Sequence, residues 1–152
     1  MRKLKSFLKL DKETKLLLLE SYLYLAWGRI LKIIPFAKVA PKLGVQSEET
    51  PLVSTEDERR LISKISNAIH IMSKYTFWES QCLVKAIAAM KMLEKRKVES
   101  TLYLGTARDE NGELIAHAWL RCGTNYVTGS EGMERFTVVG KFAKRIEVSV
   151  HE

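Results

Sequence analysis

Trp78-Glu79-Ser80-Gln81-Cys82-Leu83-Val84-Lys85-Ala86 opens a stretch that closes, 35 residues after its cysteine, on Ala116-His117-Ala118-Trp119-Leu120-Arg121-Cys122. The first segment turns abruptly into apolar residues at helical spacing. Leu83, Ile87, Met90 and Leu93 share one side, with Val84 and Ala86 beside them, which predicts a helix from Cys82 to about Arg96. Its last turn, Lys95-Arg96-Lys97, complements the negative helix end. The second segment alternates as a strand. A thiol at a helix start lies beside unpaired N–H groups and the positive end of the macrodipole, which favour the thiolate. The same N–H groups can receive an oxyanion. Together with a strand histidine, these are the parts of a sulfur nucleophile and its base.

Working outward, Thr101 to Arg108 alternates as a strand and Asp109-Glu110-Asn111-Gly112 is a hairpin turn signal, after which Glu113 to Cys122 returns antiparallel. Short strands near Tyr126 to Thr128 and Phe136 to Phe142, and a tail strand at Ile146 to Val150, extend the sheet. Upstream, Thr55 and Glu58 form a capping box for a helix that buries Leu61, Ile62, Ile65, Ala68, Ile69 and Met72. Helices first and antiparallel sheet after predict an α+β fold. With period two, His117 shares a face with Trp119 and Arg121, and Cys122 points the other way with Ala118 and Leu120. Cys122 is therefore a poor partner for His117. A metal site would need Cys82, His117 and Cys122 to converge and shows no fourth ligand, so none is expected. His70, with no ligand at metal spacing around it, reads as a solvated or core-edge residue.

The front of the chain is different. Asp11 is a plausible N-cap for a helix running to about Ile34, which Pro35 closes. Leu16, Leu19, Leu23, Ala26, Trp27 and Ile30 form one stripe, but Leu17, Leu18, Tyr24, Leu25 and Leu31 are apolar on other sides. So many apolar residues point to a second contact, although packing within the chain's own core would also use them. Residues 35 to 53, with Pro35, Pro41, Gly44 and Pro51, read as an irregular linker. The division is then 1–53, a basic and apolar helix with its linker, and 54–152, the domain carrying Cys82 and His117. Of 25 Lys/Arg and 18 Asp/Glu, residues 1 to 45 hold ten and three, leaving fifteen of each afterwards. The net charge of +7 thus sits wholly at the front. Such a front suits an acidic partner or an anionic membrane surface, or simply solubilises an apolar helix. Nucleic acid ranks last, because no groove-fitting motif or stacking array accompanies it. Glu20, Arg29 and Lys32 break the apolar run, so the helix is expected to dock rather than span a bilayer. Two cysteines and no signal-peptide pattern fit a reduced cytoplasm.

Trp78-x-x-x-Cys82-Leu-Val-x-Ala, Leu102-Tyr-Leu-Gly105, Ala116-His117-Ala118-Trp119-Leu-Arg-Cys122-Gly123 and Phe136-Thr-Val-Val resemble the leader peptidases of lasso-peptide biosynthesis. These are the peptidase half of the split B protein, transglutaminase-like and papain-like in fold. The resemblance implies that Cys82 attacks a peptide carbonyl and His117 takes and returns the proton, with the Cys82 N–H serving the oxyanion. Gln81 is a candidate second donor, and Trp78 either walls the cleft or packs in the core. The family carries an aspartate about a dozen residues after the histidine. Here that region reads Asn125-Tyr-Val-Thr128-Gly129-Ser130-Glu131. Glu131, or otherwise Asn125, is expected to orient the ring. The implied activity is removal of the leader from a lasso precursor peptide, without a cofactor, beside a small leader-recognition protein and an ATP-dependent cyclase. Acyl transfer to an amine through the same thioester, and a non-enzymatic maturation scaffold, are the rival readings.

Overall fold

The computed structural model describes residues 2–76 and 81–146. In chain order these form α1 (Arg2–Leu8), α2 (Lys12–Ile33), α3 (Phe36–Leu43), β1 (Val45–Gln46), α4 (Glu56–Ser73) and α5 (Cys82–Lys95). Four strands follow, β2 (Ser100–Arg108), β3 (Leu114–Cys122), β4 (Asn125–Thr128) and β5 (Thr137–Lys144), with a 3-10 turn at Met133–Arg135 before the last. The fold is α+β, with helices preceding an antiparallel sheet of order β1-β5-β2-β3-β4. The tail strand expected over Ile146 to Val150 falls, beyond Ile146, outside the described residues.

Local chemistry sets the helix ends. Asp11 accepts from the Thr14 N–H at 3.2 Å, and Ile34 before Pro35 is extended, at ψ 141°, and ends α2. Thr55 and Glu58 close their box with two bonds of 3.1 Å. Residues 35 to 53 are not the irregular linker that their prolines and glycine imply, because α3 and β1 lie there. Phe36, Val39, Ala40 and Leu43 recur at helical spacing, and burial of Val39 and Leu43 holds the turn together around Pro41. β1 then pairs Val45 with Ala143 and Gln46 with Phe142.

α5 lies at the centre, packed against α2, α4 and the face of β3 that carries Ala118, Leu120 and Cys122. α2 turns Leu18, Ser21, Leu25, Gly28 and Leu31 inward. The buried Ser21 hydroxyl donates to the Leu17 carbonyl at 2.8 Å, which removes most of the cost of a serine on that side. Of the stripe singled out above, Leu16, Leu19, Leu23 and Ile30 face outward, and Trp27 is half-buried. No helix among the described residues is long and apolar enough to cross a membrane.

One ion pair ties α2 to the far end of α5. The Arg96 guanidinium donates to both Glu20 oxygens, at 2.6 and 2.8 Å, and to the Met92 carbonyl at 2.9 Å. This bidentate bonding holds the Glu20 carboxyl below the usual carboxylate range. A carboxylate pKa depressed by folding gives stability above its unfolded value that is lost as pH falls through the folded one. Glu20→Gln is expected to cost about 1–2 kcal/mol at neutral pH in urea unfolding. The gap from the native protein should close below about pH 4, and a gap independent of pH would show that the charge contributes nothing.

Candidate active site

Cys82 is the first residue of α5, after Gln81 as N-cap. The first bond closing that turn runs from the Lys85 N–H to the Gln81 carbonyl at 3.0 Å, so the N–H groups of Cys82, Leu83 and Val84 precede the ladder. The Gln81 side chain makes no cap bond to the helix; its oxygen accepts from Lys32 Nζ in the last turn of α2. The Cys82 thiol is half-buried and packs partly against the core.

His117 stands on β3 opposite Gly105 of β2. Its ring lies against Trp119, with centroids 5.8 Å apart and planes at 28°, and against Phe136, at 5.0 Å and 34°. Trp119 stacks in turn on Tyr103 at 5.6 Å. Gly105 makes this packing possible, since a Cβ there would stand 2.8 Å from two Trp119 ring carbons and 2.9 Å from Phe136 Cβ. His117 Nε2 is 2.6 Å from the Gly129 carbonyl oxygen. A carbonyl only accepts, so Nε2 carries the hydrogen, and in the neutral ring Nδ1 is then the nitrogen with the free lone pair. Gly129 has φ +73°, and a Cβ on it would lie 2.3 Å from the Ala118 carbonyl oxygen, so the turn that presents this carbonyl requires glycine.

Cys82 and His117 line the same cavity, of about 440 Å³, where β4 ends. Asn67 and His70 of α4, Lys85, Thr128 and Glu131 also border it. The Thr128 hydroxyl is buried and has no hydrogen-bond partner among the described residues. Glu131 is exposed on the rim, and the ring nitrogen is bonded to the Gly129 carbonyl instead of its carboxylate. Asn125 is engaged elsewhere, donating to Ser54 Oγ at 3.3 Å. Trp78 lies outside the described residues.

The sequence does not announce the Gly129 contact to the ring. The one available signal was the empty aspartate position, since Gly129 falls twelve residues after His117. Cys122 sits in the core at 2% exposure, and burial pushes its thiol up to about 11. Among the described residues no three His, Cys, Asp or Glu side chains group as a metal site.

Residues 22–141 match the family model of the transglutaminase-like superfamily. No curated protein and no solved structure matches the chain.

The two thiols should separate chemically. Treated with iodoacetamide at neutral pH, the folded chain is expected to be alkylated at Cys82 alone, with Cys122 reacting only after denaturation, as read by peptide mass spectrometry. Equal labelling of both would contradict the burial of Cys122.

Proposed function

This chain belongs to the transglutaminase-like superfamily, and from that premise we propose that it is a cysteine peptidase that removes the leader from a lasso-peptide precursor. The observation that carries the chemistry is one cavity lined by both a helix-start thiol and a histidine whose Nε2 is bonded to the Gly129 carbonyl. The motifs around Trp78, Cys82, Gly105, His117 and Phe136 support the choice of substrate through their resemblance to the leader peptidases.

In this reading His117 Nδ1 takes the Cys82 proton as Sγ bonds to the scissile carbonyl carbon. The oxyanion is received by the Cys82 N–H at the start of α5. The C–N bond then breaks, with the proton passing from the imidazolium to the leaving amine. Water, deprotonated by the same nitrogen, attacks the thioester, releasing the acid and the thiol. The Nε2–H bond to Gly129 keeps the ring in the tautomer that each step needs, which is the work assigned to an aspartate in the family. A leader-recognition protein and an ATP-using cyclase are the partners this reading implies.

The test is cleavage of a synthetic leader–core precursor followed by mass spectrometry, with partners supplied. Cys82→Ala should abolish product, and His117→Ala should lower the rate about a hundredfold or more. Cys122→Ser should keep most of the activity, and Glu131→Gln should stay within about threefold, since a rim carboxylate acts only through screened charge. Gly129→Ala should lower kcat far more than it raises KM. Undiminished cleavage by folded Cys82→Ala protein would overturn the mechanism, and loss of activity in Glu131→Gln equal to that in His117→Ala would return the orienting role to the carboxylate.

A further inference from the structure

Leu16, Leu19 and Leu23 are 56, 53 and 67% exposed on the outer side of α2. With Trp27, Leu61 of α4 and the last turns of α5 they line an open groove of about 960 Å³. That is room for about two turns of an amphipathic helix. Its rim carries Lys64, Lys91, Lys95 and Arg96 against Glu13 and Glu20, with Glu94 beside it pairing Lys91 at 3.1 Å. Arg96 occupies both oxygens of Glu20, so Lys95, 3.9 Å from Glu20 with a side chain 63% exposed, has most of its charge free. Lys64 is also largely exposed, paired only with a surface glutamate, Glu13, at 3.2 Å. The groove therefore joins an apolar floor to a net positive edge.

The groove is not isolated from the Cys82 cleft. A cavity of about 440 Å³ between α2 and α4 shares Glu13, Leu17 and Lys64 with the groove, and shares Asn67 with the cleft. A surface path thus runs along α4 from one to the other. The thirteen helical steps from Cys82 to Lys95 put the two ends about 20 Å apart in a straight line, so a surface path between them takes at least about six extended residues.

We propose that the groove is an exosite for the polypeptide on which the Cys82 site acts. It takes a segment of that substrate that is helical, apolar on one side and acidic on its flanks. An extended stretch then follows α4 and lays the reacting bond at Cys82. The inference rests on Cys82 being the nucleophile of the proposed function. Holding the substrate at a distance raises the effective concentration of the bond at the thiol without asking the cleft itself for sequence selectivity.

The test uses the full chain and a synthetic peptide with leucines at i, i+3 and i+7 between glutamates, joined by about eight extended residues to a chloroacetamide. Alkylation forms the Cys82 Sγ–C bond and releases chloride. The tethered reagent is expected to label Cys82 at least about tenfold faster than the spacer carrying chloroacetamide alone. The advantage should shrink at high salt and with a lysine-flanked peptide. Leu19→Glu should abolish it and Lys95→Glu weaken it, while the spacer-only rate stays unchanged in both. Equal rates for the two reagents, equal labelling by the lysine-flanked peptide, or an unaffected Leu19→Glu protein would each overturn the exosite. So would a concentration-dependent dimer, seen by light scattering, that Leu19→Glu dissolves, because a second copy would then cover the stripe. If neither reagent labels Cys82, the nucleophile assignment fails. The exosite is then judged by fluorescence anisotropy of the peptide without its electrophile on Cys82→Ala protein, where binding lost in Leu19→Glu upholds it and absent binding removes it.

Discussion

Burial of most of α5 is the constraint from which the rest of the structure follows. Eight of its fourteen residues, Val84, Ala86 to Met90, Met92 and Leu93, are buried. A helix enclosed by two helices and a sheet needs small residues where its neighbours approach, and Ala86, Ala88 and Ala89 supply them. Met90 and Met92 fill the irregular space left over, with the Met92 sulfur 3.5 Å from the Ser21 hydroxyl of α2. Because the body of α5 cannot shift without opening this core, its first residue is placed to the tolerance of the packing. A thiol there inherits a fixed position that a loop could not give it.

The histidine is positioned by different means. Its ring is one member of a layer, Tyr103, Trp119, His117 and Phe136, packed in succession across β2, β3 and the start of β5. Arg121 extends the layer, donating to the Tyr103 hydroxyl at 2.9 Å and to the Gly123 and Thr50 carbonyls at 2.6 and 2.9 Å. The Tyr103 hydroxyl in turn donates to Glu49 at 2.6 Å. A buried guanidinium bonded to this many acceptors is held rigidly, which stiffens the layer that the imidazole leans on. Rotation about the ring plane is then set by one bond, Nε2–H to Gly129. A peptide carbonyl can fix a tautomer as well as a carboxylate does, but it brings no full negative charge.

The sequence made some of this legible. Asp11, the Thr55–Glu58 box and Pro35 announce helix ends because capping acts within four residues, and the hairpin at Asp109 to Gly112 is equally local. α3 was hidden because Pro41 and the nearby Gly44 and Pro51 argue for loop, whereas the turn is decided by Val39 and Leu43 packing on residues far along the chain. The inward side of α2 was hidden for a second reason. A helix apolar on most sides has no periodic signal that chooses a face, and the buried one includes a serine. At the candidate site, Cys82 and His117 could be picked out because a thiol and an imidazole are few in this chain and distinctive in their chemistry. The Gly129 contact to the ring could not, since any residue has a carbonyl. What selects Gly129 is the left-handed turn beside Ala118, and side-chain reasoning pointed to Glu131 only because it was the nearest acid in the chain.

Two cysteines in one small domain need opposite treatment if one is to react and the other is to stay inert. β3 provides half of the answer. Cys122 falls on the face covered by α5, where burial and the nearby Glu58 carboxylate both disfavour its thiolate. The start of α5 provides the other half, since an orphan N–H set and the macrodipole act only on the first turn. The same helix therefore covers one thiol with its body and exposes the other at its tip. Moving Cys82 two residues into α5, to the position of buried Val84, would give it the environment of Cys122, whereas at the first position it meets the cavity that His117 also lines.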